Sequence, residues 1–174
     1  MRRGRVEFRP SGRALIGRFA AKHPPPDRKP PPLSRATRMS DLPELASFAS
    51  RYAQAWCSQD PESVAAFFAA NGSLSVNDGA PAVGRAAIAE VARGFMRDLP
   101  DIVVMMDKVT RDSDGTKFRW TFTGTNTGPG GTGRRVRISG YELWKIDNDG
   151  LIAESKGRFD SAEYERQLKF GVDG

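Results

Sequence analysis

What is missing from this sequence narrows its chemistry before what is present does. The 174-residue chain has one histidine, His23, and one cysteine, Cys57. Beyond residue 38 there is no histidine at all. A Ser–His–Asp triad, a Cys–His pair and a His-ligated zinc are therefore excluded from that part of the chain. A single cysteine also excludes a thiolate metal site and an internal disulfide framework. Cys57 reads as a small core residue, not a reactive thiol. Any catalysis has to use carboxylates, tyrosine, Lys/Arg or amides, and neither a metal nor a cofactor is expected.

Three groups stand out on that basis. Glu142 is a lone carboxylate in the row Val136, Ile138, Gly140, Glu142, Trp144, Ile146, which a period of two puts on one face of a strand. If that face is covered, desolvation raises the carboxyl pKa, which suits a general acid or a shared-proton donor. The alternative is a structural ion pair with an arginine such as Arg119 or Arg137. Tyr52 lies on an apolar helix face, as a core tyrosine or as a hydrogen-bond donor into a cavity. Asp160 precedes Ser161-Ala162-Glu163, so it reads as a helix cap, and a cap at a pocket mouth can also act as an acid or base. Phe118, Trp120 and Phe122 alternate with Arg119, Thr121 and Thr123. The aromatic row is core or pocket wall rather than a base-stacking platform, because no basic patch accompanies it.

The elements that must position these groups follow from periodicity and punctuation. Asp41-Leu42-Pro43-Glu44 opens a helix, with Leu45, Phe48, Tyr52, Ala55 and Trp56 at helical spacing. Asp60-Pro61-Glu62 starts a second helix carrying Val64, Phe67 and Phe68, which Asn71-Gly72 is expected to end. A short strand over 73–76 and a turn at Asn77-Asp78-Gly79 follow. A third helix from about Arg85 to Leu99 places Ile88, Val91, Ala92 and Phe95 on one face. Strands are expected over roughly 102–110, 116–125, 135–146 and 151–159, with turns at Asp112–Gly115 and Asp147–Gly150. Asp160 caps a last helix. Helices first and hairpin-linked strands after define an α+β domain rather than an alternating parallel-sheet fold. The Gly128–Gly133 loop joins two strands and lacks a Gly-Lys-Ser/Thr ending, so it is not a phosphate cradle.

Charge divides the chain in two. Residues 1–38 carry 11 Lys/Arg against only Glu7 and Asp27, and the remainder carries 16 basic and 19 acidic residues. The net charge of +6 thus belongs to the first segment, and the domain over 39–174 is mildly acidic. A nucleic-acid interface through the domain is not expected. With Pro24-Pro25-Pro26 and Pro30-Pro31-Pro32, residues 1–38 are expected to be extended or disordered. They read as a basic arm for anionic partners, a targeting peptide, or an extension ahead of a natural start at Met39. No run approaches the roughly 20 apolar residues of a membrane span, and a cytoplasmic location is expected.

The motifs of the domain resemble the SnoaL-like polyketide cyclase and ester cyclase branch of the nuclear transport factor 2-like superfamily. Arg119-Trp120-Thr121-Phe122-Thr123-Gly124-Thr125-Asn126-Thr127-Gly128 is similar to R-W-x-x-x-G-T-H-T-G, and Thr132-Gly133-Arg134 to T-G-K. Asp149 to Glu154 resembles D-G-K-I-x-E, and Arg166-Gln167-Leu168 resembles the closing Q-L-G. The resemblance implies a cone-shaped α+β fold. In it, a curved antiparallel sheet, three N-terminal helices and a C-terminal helix enclose a pocket, and the domain commonly forms a homodimer. It implies an acid/base at Asp160. Likeness to ketosteroid-isomerase-like enzymes implies an oxyanion hole at Tyr52 and Glu142, with a base near Asn77-Asp78. The family's histidine is Asn126 here, and its later His-Trp is Ser155-Lys156; an amide orients but does not exchange protons. The expected function is isomerase, cyclase or hydrolase chemistry on a small apolar, oxygen-bearing molecule, the alternative being a non-catalytic ligand-binding or dimerisation module. The expected catalytic set is Asp160, Glu142 and Tyr52, with Trp56, Trp120, Phe122, Asn126 and Arg119 binding substrate. The catalytic reading requires Asp160, Glu142 and Tyr52 to converge on one enclosed cavity.

Overall fold

The computed structural model describes residues 42–174. The expectations for residues 1–38, and for Asp41 as a cap, lie outside them. Among the described residues no helix is long and apolar enough to cross a membrane.

The first helix, α1 (Leu42–Cys57), buries Leu45, Phe48, Ala49, Tyr52 and Ala53, the stripe its spacing requires. Helix α2 (Pro61–Ala65) starts at Asp60, whose side chain accepts from the Glu62 N–H at 3.2 Å, with Pro61 in its first turn. Strand β1 (Phe68–Val76) and the two-residue β2 (Ala82–Val83) precede α3 (Arg85–Asp98). Four long strands follow: β3 (Val103–Asp112), β4 (Gly115–Thr125), β5 (Arg135–Ile146) and β6 (Ile152–Phe159). Helix α4 (Ser161–Phe170) is capped by Asp160, whose Oδ1 accepts from the Glu163 N–H at 2.9 Å.

The six strands form one sheet in the order β2-β1-β6-β5-β4-β3. The run from β3 to β6 is antiparallel, as hairpin turns demand, whereas β1 pairs with β6 in parallel. One boundary differs from the expectation. The second helix stops at Ala65, and Phe68 begins a strand. The Phe67 carbonyl accepts from the Ile152 N–H at 2.9 Å, so a distant strand claims this stretch from the local helical spacing. Asn71-Gly72 therefore lies inside β1 rather than ending a helix. There the register jumps from Phe68↔Ile152 to Ser73↔Glu154, an irregularity of the kind a β-bulge makes. A side chain on Gly72 would bring its Cβ to 2.7 Å from the Ile152 carbonyl oxygen, so only glycine fits.

Register assigns the covered face. Cross-strand rows run Thr116–Trp144–Ser155, Phe118–Glu142–Gly157 and Trp120–Gly140–Phe159. Helix α1 lays Tyr52 against Phe118 and Trp144, α3 lays Phe95 against Phe122 and Phe159, and α4 adds Tyr164 beside both of those. All three helices thus cover the same face, and the core lies between them and the sheet.

Candidate functional site

Between α1, α3 and the sheet lies a narrow, almost wholly apolar cavity whose walls include Trp56, Phe95, Trp120, Phe122, Phe159 and Glu142. About 530 Å³ of space separates its walls, the open mouth included, and the part open to the centre of a water molecule is about 50 Å³. Glu142 is the one ionisable group among its lining residues.

The setting of that carboxyl is specific. Glu142 is 6% exposed. Its Oε2 accepts from the Trp144 indole N–H at 2.8 Å, from the Ser155 hydroxyl at 2.7 Å and from the Tyr52 phenol at 3.2 Å. Its Oε1 has only a long contact to the Tyr52 phenol, 3.5 Å. Trp144 comes from the same strand face two residues on, Ser155 from the adjacent position across β5–β6, and Tyr52 from α1 above. No arginine takes part. Arg119 and Arg137 are exposed on the opposite sheet face, where the period of two sends them, so the structural ion pair is not formed.

Burial raises the Glu142 pKa above the ordinary carboxylate value, and the hydrogen bonds from Ser155, Trp144 and Tyr52 only partly offset it. The Tyr52 phenol is pushed well above its usual range by burial, then by the neighbouring Glu142 charge, and a hydrogen bond from Trp56 acts the other way. Tyr52 is therefore a lasting donor. With Oε2 taken by donors, the proton of the neutral acid belongs on Oε1.

The remaining expected residues divide. Trp56, Trp120 and Phe122 stand in the cavity wall, and Tyr52 lies behind Glu142. Three others are placed elsewhere. Arg119 points away through the sheet. Asn126 holds the β4–β5 loop, its Nδ2 donating to Thr132 Oγ1 at 3.2 Å and to the Leu168 carbonyl at 3.3 Å. Asp160 lines a separate surface hollow beside Asn77, Asp78 and Arg158. The expected convergence of the two carboxylates on one cavity is not found, because Asp160 follows the last residue of β6 and turns to cap α4. The position near Asn77-Asp78 is likewise outside the cavity. The Asn77 side chain accepts from the Phe159 N–H at 3.0 Å, and Asp78 pairs with Arg158.

Two partners of Glu142 were not anticipated. Trp144 shares its strand face, a signal available from alternation. Ser155 needed the β5–β6 register, and it occupies the first position of the family's His-Trp pair. A further feature is the indole of Trp120. Its Nε1 is the only buried side-chain nitrogen or oxygen without a hydrogen-bond partner among the described residues. A buried unpaired donor costs about 1–3 kcal/mol. Among the described residues no group of three or more His, Cys, Asp or Glu could hold a metal ion.

This architecture, helices on one face of a curved open sheet with an apolar cavity between them, defines a class of pocket proteins. The SnoaL-like polyketide cyclase family model matches residues 46–168, and the chain belongs to that family. No curated protein matches the sequence. Solved structures share the fold at low identity. A hypothetical protein with a ketosteroid isomerase-like fold from Catenulispora acidiphila, in complex with trimethylamine, has a TM-score of 0.63 at 18% identity, over 73% of this chain and 95% of its own. A SnoaL-like protein from Jannaschia sp. CCS1 gives 0.64 at 17%, over 72% and 91%. TsrD from Streptomyces laurentii gives 0.63 at 22%, over 74% and 96%.

Proposed function

We propose that the cavity binds a small, largely apolar molecule carrying a hydrogen-bond acceptor, and that neutral Glu142 donates to that acceptor from Oε1. The observation that carries this reading is the one-sided bonding of the carboxyl. Three donors occupy Oε2, Oε1 has only the long contact to the Tyr52 phenol, and Glu142 is among the residues lining the apolar cavity. Apolar pockets with one or two placed polar groups are the usual form of a small-molecule site. The test uses 1-tetralone, an apolar ring ketone, titrated against the full chain by tryptophan fluorescence from pH 5 to 9. Binding to the natural protein weakens as pH rises through the raised Glu142 pKa, because the carboxylate has no proton to donate. Glu142→Gln binds with pH-independent affinity, since its amide oxygen takes the Oε2 bonds and its NH₂ donates. Equal pH profiles for the two proteins sink the donor role.

The three-residue catalytic set falls with the separation of Asp160 from the cavity, and a second reading makes Glu142 a general acid acting without it. What favours it is a carboxyl with a raised pKa inside an apolar cavity, a combination enriched at reactive sites. Mass spectrometry of molecules that co-purify with the full chain supplies the substrate candidates. Conversion of such a molecule by the natural protein but not by Glu142→Gln, with binding retained in both, carries this reading. Binding without conversion in either protein rejects it.

A further inference from the structure

We infer that the Trp120 indole N–H is a second, specificity-determining donor of the cavity, reserved for an acceptor atom of the ligand. The inference rests on the pocket reading above and extends it from one donor to two.

The three tryptophans of the domain all meet this aromatic cluster. The fold gives one of them a protein acceptor: the Trp144 N–H bonds Glu142 at 2.8 Å. Trp120 is treated differently. It is 7% exposed, lines the cavity, and its Nε1 finds no partner. An indole N–H only donates, so no rearrangement of its own hydrogens relieves it.

Nor is the ring free to turn toward another acceptor. Its ring abuts Gly140, where a Cβ would come within 2.6 Å of its Cη2 and 2.7 Å of its Cζ2. It stacks on Phe122 with centroids 5.6 Å apart at 23°, and Phe159 abuts it at 6.1 Å. The absence of a side chain at Gly140 and the two flanking rings fix the indole plane. A donor held without a partner in a packed wall is one whose partner comes from outside the protein.

Gly140, under Trp120, and Glu142 stand two residues apart on the same face of β5. Trp120 and Glu142 both line the cavity, and the two donors assigned to it are the Glu142 acid proton and the Trp120 N–H, between carbon walls. That pattern selects a compact apolar molecule with carbonyl or ether oxygens, and it disfavours one that presents O–H or N–H groups at those points.

The experiment compares 1-tetralone with tetralin, its hydrocarbon counterpart, on the natural full chain and on Trp120→Phe, which keeps a flat ring and removes the N–H. Expected is a preference of the natural protein for the ketone that shrinks by roughly five- to tenfold in Trp120→Phe, with tetralin affinity little changed. In ¹H–¹⁵N spectra of the natural protein, the indole signal absent from Trp120→Phe moves downfield on adding 1-tetralone and not on adding tetralin. An unchanged ketone preference in the variant, or an indole signal that ignores the ketone, overturns the inference while leaving the pocket reading standing. Binding of neither compound to the natural protein overturns both.

Discussion

The Glu142 carboxyl combines two effects: burial raises its pKa, and the hydrogen bonds from Ser155, Trp144 and Tyr52 partly offset that rise. The sign of the resulting pH dependence is fixed. The folded chain holds this proton to higher pH than the unfolded chain, whose glutamates titrate near 4.5. Stability from this group is therefore complete below that value and is lost as pH rises through the raised folded pKa. Glu163 acts oppositely: Arg166 and Gln167 hold its carboxyl down to about 2, so its contribution is already complete above the ordinary carboxylate range. We predict that the melting temperature of the natural protein falls relative to that of Glu142→Gln as pH rises from about 5 toward neutrality. A difference that stays flat across that range would mean the acid is solvated and the buried-donor description is wrong.

At the scale of elements, the β6–α4 junction decides the role of Asp160. Its Oδ1 satisfies the Glu163 N–H, one of the donors a helix start leaves unpaired. Asp160→Ala is expected to cost about 1 kcal/mol, and Asp160→Asn to restore most of it, with 1-tetralone affinity unchanged in both. Chemical denaturation and the fluorescence titration check the two halves of that statement. A loss of affinity in Asp160→Asn without loss of stability would return this residue to the ligand. The cap itself was legible from Asp160 and Glu163 three residues apart. Its separation from Glu142 was not, because that depends on where β6 ends against β5. The same limit explains β1, where Phe67 and Phe68 continue a helical spacing locally but join Ile152 from the far end of the domain.

Among the described residues, the helices cover one sheet face and leave the other open. Leu143, Val103 and Met105 are exposed there, and Lys117 lies over the Tyr141 ring at 5.0 Å. Arg119 pairs across to Tyr141, Lys117 to Leu143 and Arg137 to Thr123, so cations surround the apolar residues. Apolar area on an open face suits a two-fold contact with a second copy. The expected homodimer should form through 135–145 at micromolar concentration and tighten as salt screens the facing cations. Light scattering on the protein with Tyr141→Arg and Leu143→Arg together should give a soluble monomer. A monomer for the unsubstituted chain at high concentration and high salt would leave this face without a partner copy.

The α+β class, the four long strands, the last helix with its cap, and the face on which Glu142 lies are all legible in the residues alone. Each depends on periodicity or turn chemistry within a few residues, and backbone geometry enforces those locally. The absence of histidine beyond residue 38 likewise settled which chemistries the domain lacks. Tertiary packing sets the rest: Glu142 meets Tyr52, Trp144 and Ser155 instead of an arginine, Asp160 and Asn126 belong to other surroundings, and among the buried side chains of the described residues the Trp120 indole N–H has no partner. These outcomes depend on strand register and on how α1 sits over the sheet. They join residues as far apart as 52 and 142, and packing between distant segments, not local spacing, sets which polar groups find partners.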